Sequence, residues 1–222
     1  MDAADHREFK DRLFERFARV GKALASPRRL EIVDILAQGE RTVEEIAEET
    51  SMSVANASQH LQALKAARMV ESRRQGLYMH YRLADEDVFR TWQAVRGLAE
   101  SRLAEVDRVV ESYLKDRDAL EAVDATELME RLSDESVVVL DVRPEEEYRA
   151  GHIPGAISVP VDALQAALQM LPKDREIVAY CRGPYCVFSD EAVALLRSRG
   201  YRAYRLREGL PDWRAAGMPV ES

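Results

Sequence analysis

The chain has 222 residues and a net charge of −8, enough for one large domain or two of ordinary size. It has no apolar run near the ~20 residues of a membrane span, no apolar N-terminal leader, and only two cysteines, both in one loop, so a cytoplasmic protein without membrane contact or disulfide framework is expected. The acidity is uneven: residues 1–84 carry 14 basic and 13 acidic side chains, residues 85–136 carry 7 and 15, and residues 137–222 carry 11 and 12, so a nucleic-acid partner is not excluded for the first stretch, where local patches decide.

A first helix is expected from Asp5 to Leu24, with Phe9, Leu13, Phe14, Phe17 and Val20 as an apolar stripe for core or dimer contact. Ser26-Pro27 starts a second helix, with Leu30, Ile32, Val33, Ile35 and Leu36 apolar and Gly39 as its stop. Thr42 caps a third, and Glu45 completes a capping box. The turn Thr50-Ser51-Met52 leads to Ser53 as cap of a fourth. Short helix, turn, short helix is a helix-turn-helix. On the fourth helix Val54, Ala57, Leu61 and Leu64 form the inward stripe. Asn56, Gln59 and Gln62 then point outward, with Ser58 and His60 on the flanks. Such amides can pair bidentately with adenine in a major groove; outward Asn and Gln are also ordinary solvated residues. Next, Val70–Arg74, Gln75-Gly76 and Tyr78–Leu83 read as a β-hairpin whose arm carries Arg73 and Arg74.

Residues from Leu24 to Leu83 resemble the ArsR family of bacterial repressors. The likeness rests on Ala25-Ser26-Pro27-Arg28-Arg29-Leu30-Glu31-Ile32, on Ser58-Gln59-His60-Leu61-Gln62-Ala63-Leu64, and on Tyr81-Arg82-Leu83. It implies a winged helix-turn-helix homodimer whose partner is a double-stranded DNA operator. Asn56, Ser58, Gln59, His60, Gln62, Arg73 and Arg74 would be the DNA-binding residues. Metal-sensing members use cysteines or acidic and histidine residues; this segment has no cysteine, and His6, His60 and His80 lie at no ligand spacing. No metal is expected.

A long helix is expected from Glu86 to about Lys115. Its apolar positions include Val88, Phe89, Trp92, Val95, Ala99, Leu103, Val106, Val110 and Leu114. It reads either as a dimer seam or as an amphipathic helix packed on a second domain. The boundary is placed near Lys115-Asp116-Arg117-Asp118, giving domains 1–116 and 117–222.

In the second domain Asp124 caps a short helix, with Glu127 in the capping-box position. Val137–Leu140 is a strand covered on both faces. Asp141 and Arg143 follow at its C-terminal end, where open α/β sheets place their sites; for Asp141 an ion pair is the favoured role. His152 is expected to fix its loop and Trp213 to lie in the core. The strand Glu176–Tyr180 leads into Cys181-Arg182-Gly183-Pro184-Tyr185-Cys186 and then a helix with Phe188, Ala192, Leu195 and Leu196 inward. Strand, tight loop and helix aim N–H groups and a helix dipole at one point. A cysteine there ionises below the ~8.5 of a free thiol, with Arg182 adding charge, unless it is merely a small buried hydrophobe.

This second segment resembles the rhodanese domains. The likeness is carried by Val137-Val138-Val139-Leu140-Asp141-Val142-Arg143, Glu147-Tyr148, Gly151-His152-Ile153-Pro154-Gly155-Ala156-Ile157, the cysteine loop, Glu208-Gly209-Leu210, Trp213 and Gly217-Met218-Pro219-Val220. It implies an α/β fold with a mainly parallel sheet and no cofactor. Cys181 would be the nucleophile and persulfide carrier, with Arg182, Gly183, Pro184, Tyr185 and Cys186 as its cradle and Arg143 counted with the site. Related domains acting on oxyanions have a loop one residue longer that closes on arginine; Val187 stands there, which favours a small sulfur donor. Cys186 at the sixth loop position weakens the case for thiosulfate. It either resolves the persulfide, which for a disulfide needs Cα atoms within ~7 Å, or simply fills the loop. The function expected is a DNA-binding regulator, a repressor, that senses or processes reactive sulfur through Cys181. The alternatives are an active sulfurtransferase with an accessory DNA-binding domain, or an oxyanion-binding module.

Overall fold

The computed structural model describes residues 3–114, 120–133 and 136–222. It divides into two compact units, Met1–Trp92 and Gln93–Ser222. The expected boundary between residues 116 and 117 lies outside the described residues.

In the first unit, α1 (Ala3–Leu24) holds its apolar stripe in the open: Phe9, Phe14 and Phe17 are 57, 64 and 59 % exposed. The stripe is therefore not core within this chain. Pro27 opens α2 (Pro27–Gln38), where a missing N–H costs nothing, and Ile32, Val33 and Leu36 are buried beneath it. The chain then forms β1 (Arg41–Thr42) and α3 (Val43–Glu49). The capping box is present: Glu45 N–H donates to Thr42 Oγ1 at 3.2 Å, and Thr42 N–H donates to Glu45 Oε2 at 2.6 Å. Ser51 turns the chain with φ 53°, and the Ser53 hydroxyl accepts from Asn56 N–H to start α4 (Val54–Ala66). Ala57, Leu61 and Leu64 are buried as their spacing requires. Val54 is not; it sits in the first turn, half exposed, before the helix has packed.

Two strands, β2 (Val70–Gln75) and β3 (Tyr78–Leu83), pair antiparallel as the wing, and β1 joins β3 to give the order β1-β3-β2. The turn is Gly76-Leu77, one residue later than expected, because Gly76 supplies the left-handed φ of 62°. The helix expected from Glu86 to about Lys115 is broken. It forms α5 (Glu86–Arg102) and α6 (Ala104–Tyr113), with Leu103 between them extended at φ −115°, ψ 93°. Sequence periodicity is blind to such a break, since the apolar positions keep their spacing across it. The start of α5 packs into the first unit: Val88 joins its core with Trp92 against it, Phe89 is buried, and Trp92 Nε1 donates to Asp34 at 2.9 Å.

The second unit is built on five parallel strands: β4 (Ala122–Val123), β5 (Val137–Asp141), β6 (Ile157–Ser158), β7 (Glu176–Tyr180) and β8 (Ala203–Leu206). Their order is β4-β8-β7-β5-β6. Separate apolar clusters cover its strands. One includes Leu140, Ile177, Ala192 and Leu196; the other includes Val139, Val178, Leu128 and Trp213. That accounts for strands apolar on both faces. The connecting helices are α7 (Ala125–Ser133), α8 (Glu145–Ala150), α9 (Leu164–Ala167) and α10 (Val187–Ser198), with α11 (Leu210–Ala215) last. Asp124 caps α7 by accepting from Glu127 N–H at 2.9 Å. The carboxyl end of the central strand β7 opens directly onto the cysteine loop.

Candidate functional site: a helix and wing in one unit, a cysteine loop in the other

In the first unit α4 presents Asn56, Gln59 and Gln62 to solvent, while Ser58 and His60 are half buried. One amide N–H of Gln62 is already engaged: Nε2 donates to Tyr81 Oη at 3.1 Å, which leaves one N–H and the amide oxygen. Burial raises the pKa of that Tyr81 phenol, and Lys65 ties α4 to β2 through Ser72 Oγ at 2.6 Å. Helix and wing are thus fastened together by polar bonds. On the wing, Arg73 and Arg74 are exposed. Arg73 forms a two-pronged pair with Glu40 and also donates to Gln75 Oε1 at 2.7 Å. Arg74 donates from Nε to the carbonyl of Gly76 at 3.2 Å, across the turn.

The second site begins where β7 ends. Cys181 is almost completely buried and Cys186 partly so. The six-residue loop curls until their Cα atoms are 6.2 Å apart, and the two sulfurs are joined as a disulfide. Cys186 N–H donates to Gly183 O at 3.1 Å inside the loop, and Leu210 N–H donates to Cys181 O at 3.3 Å from behind it. Gly209 supports the same turn by contact. A Cβ there would run into the Arg182 carbonyl and the Gly183 nitrogen, so this position needs glycine for close approach rather than for an unusual φ. Cys186 is the N-cap of α10, so the loop ends on the positive end of a helix dipole.

Beneath the loop lies a buried charged chain. Arg143 is fully buried; its Nε and Nη2 donate to Asp141 at 2.9 and 2.6 Å, and Nη2 also donates to the Gly151 carbonyl at 2.7 Å. Burial opposes charge on Arg143, but the hydrogen bonds and charge of Asp141 outweigh it and raise its pKa. The Tyr180 hydroxyl donates to Asp141 at 2.5 Å; burial and the Asp141 charge push this phenol far up, so it stays a neutral donor. Arg143 Nη1 lies 4.0 Å from the buried Glu147 carboxylate. Arg182 in turn donates to Glu147, from Nη2 at 2.5 Å and from Nε at 3.2 Å.

This places the predicted residues as follows. Arg182, Gly183, Pro184, Tyr185 and Cys186 come together around Cys181. Asp141 has the expected ion pair, with Arg143. The positive charge of Arg182 faces Glu147, so it reaches the cysteines already paired. His152 fixes its loop, its Nδ1 3.0 Å from Tyr148 O and its ring stacked on Tyr148 at 3.8 Å. Sequence reasoning read Glu147 as part of a motif and missed its bridging role, for which separation in the chain gives no local signal. It also missed the apolar groove of about 480 Å³ formed by Val106, Val109, Val110 and Tyr113 of α6 with Tyr185 and Val187, the residues on either side of Cys186.

Comparison with known proteins follows these two sites. The rhodanese-like domain family matches residues 124–216, and the arsR family of bacterial regulatory proteins matches residues 26–72. An HTH-type transcriptional regulator of Mycobacterium tuberculosis is 48 % identical over 96 % of this chain and 93 % of its own length. A sulfurtransferase of Allochromatium vinosum is 36 % identical over 44 % of this chain and 92 % of its own. Among solved structures, the homodimeric winged helix-turn-helix DNA-binding domain (fragment 1–100) of a Mycobacterium bovis protein is 52 % identical over 42 % of this chain and 87 % of that one, with a TM-score of 0.40.

Proposed function

The chain belongs to the ArsR family of bacterial regulatory proteins, in a form that carries a C-terminal rhodanese-like domain, and on that premise we propose that it is a dimeric repressor that senses reactive sulfur through Cys181. The observation that carries this reading is the approach of Cys186 to Cys181 within one loop, Cα to Cα 6.2 Å. A turnover enzyme needs its persulfide free for an acceptor. A resolving cysteine six positions into the loop instead converts sulfur loading into a lasting change of loop state.

The chemistry balances in two steps. The Cys181 thiolate attacks the outer sulfur of an organic persulfide RSSH, forming Cys181–SSH and releasing RS⁻. The Cys186 thiolate then attacks the inner sulfur of Cys181–SSH, forming the disulfide and releasing hydrosulfide. Two cysteine thiols are oxidised, and the donor's outer sulfur leaves reduced. The apolar groove beside Cys186 favours an organic persulfide or polysulfide over thiosulfate, a small dianion.

On the DNA side, Asn56, Gln59 and the flanking Ser58 and His60 would face base edges, with Arg73, Arg74 and Gln62 holding helix and wing in register. The exposed Phe9, Phe14 and Phe17 of α1 would close the dimer. The test is operator binding by fluorescence anisotropy on DNA from the protein's own promoter, with and without polysulfide, alongside mass spectrometry of both cysteines. Wild type should lose affinity ~5–150-fold on loading. Cys181→Ser should bind and ignore polysulfide, and Cys186→Ser should load a persulfide yet fail to respond. A wild-type protein shown to be bridged but binding DNA unchanged would refute sensing. It would leave the second reading, a sulfurtransferase like the Allochromatium relative.

A further inference from the structure

Three polar side chains of α5, Gln93, Arg96 and Glu100, follow one another at i, i+3 and i+7 and so share a helix face. All three are engaged within the second unit. Gln93 Nε2 donates to Asp212 Oδ1 at 2.7 Å, and Arg96 Nη2 pairs with the same oxygen. The Asp212 carboxylate is buried, and its other oxygen accepts from Gly209 N–H at 3.3 Å. Gly209 is the residue that backs directly onto Arg182-Gly183 of the cysteine loop. On the loop's outer rim, the Tyr185 hydroxyl donates to Glu100 Oε1 at 2.5 Å, and Arg96 Nε stands 3.7 Å from that oxygen. One helix face therefore grips the loop from behind, through Asp212 and Gly209, and from its rim, through Tyr185.

We infer that Gln93, Arg96 and Glu100 are positioning residues for the Cys181–Cys186 loop that stabilise its bridged state. The inference rests on the reading of the loop as a redox-active dithiol. These contacts exist in the bridged state. Reduction removes the Cys181–Cys186 bond, which acts beside the Cys186 N–H bond to Gly183 O in setting where the neighbouring Tyr185 meets Glu100. A contact made more fully in one of two states shifts their equilibrium by its differential free energy.

The experiment is a redox titration of the full chain. The bridge is formed with diamide and equilibrated against glutathione: the Cys181–Cys186 disulfide and two glutathione thiols give two cysteine thiols and one glutathione disulfide. The fraction reduced is read by alkylation and mass spectrometry. Glu100→Ala and Tyr185→Phe should each make the bridge about 5-fold or more easier to reduce. The double variant should be no worse than Glu100→Ala alone, because the contact that Tyr185→Phe removes is already lost there. Arg96→Gln should act in the same direction and Arg96→Lys should restore most of the wild-type value, which a merely structural role would not produce. Tyr185→Phe removes a single half-exposed hydroxyl and so serves as the variant that folds. Equilibrium constants within about 2-fold of wild type, or a bridge harder to reduce, in Glu100→Ala and Tyr185→Phe would overturn the inference. Failure of the wild-type loop to bridge with diamide would overturn it as well, and would instead trace the failure to the reading of the loop.

Discussion

Arg143→Met tests whether the charged chain beneath the loop holds up the second unit. The arginine is fully buried, and its side chain donates to both oxygens of Asp141, from Nε and Nη2, and to the Gly151 carbonyl. Methionine fills similar space but gives none, so among the described residues Asp141 keeps the Tyr180 hydroxyl and the backbone N–H at the Arg143 position. Breaking a buried pair from one side costs ~3–5 kcal/mol, and the orphaned carbonyl adds about 1 kcal/mol. For a unit of this size, at ~3–5 °C per kcal/mol, the melting temperature should fall by roughly 12–30 °C. The assay uses tryptophan fluorescence. Trp213 lies in the core of the second unit and Trp92 in the first, so a Trp92→Phe background makes the signal specific. Adding Asp141→Leu should recover at least half the loss, because an apolar pair in place of a buried ion pair is often neutral. A loss below about 1 kcal/mol from Arg143→Met alone would refute the reasoning, since it would mean that the lone carboxylate finds water or another cation.

Gln59→Ala on the exposed face of α4 should relax base preference at one position per half-site at ~1–3 kcal/mol, whereas Arg74→Ala should weaken all duplexes alike and flatten the salt dependence; competition binding at several salt concentrations separates the two. Phe14→Glu in the exposed stripe of α1 should give monomers by light scattering and abolish tight operator binding, since paired half-sites need a dimer. Gly209→Ala, which puts a Cβ into the Arg182–Gly183 backbone, should destabilise by ~1–3 kcal/mol and slow sulfur loading of Cys181 in stopped-flow or quench assays. Burial raises the pKa of Glu208, so the folded state holds this proton more tightly. Wild type should therefore lose stability as pH rises from the unfolded value of about 4.3 through the raised folded value, and Glu208→Gln should lack that slope in urea titrations across the same window.

Much of this protein was legible along the chain. Capping at Thr42 and Ser53, the helical spacing of Ala57, Leu61 and Leu64, and the glycine turn at Gly76 are local effects, so the winged helix could be read residue by residue. The same holds for the β7–loop–α10 unit: an apolar run, a short loop with both cysteines, and helical spacing beyond it. What tertiary structure alone decided involves partners far apart in sequence or breaks that leave periodicity intact. Leu103 interrupts a helix whose apolar stripe continues across it. Arg182 spends its charge on Glu147, thirty-five positions away, and Asp212 is held by Arg96 and Gln93 from more than a hundred positions off. The closeness of Cys186 to Cys181 belongs here too. Five residues of chain can place two Cα atoms well beyond disulfide range or within it, and the curl is set by packing of Gly209 and Leu210 against the back of the loop. Local chemistry fixes which groups are present; only the folded chain fixes which of them meet, because each buried charge must find its partner wherever the sheet and helices deliver one.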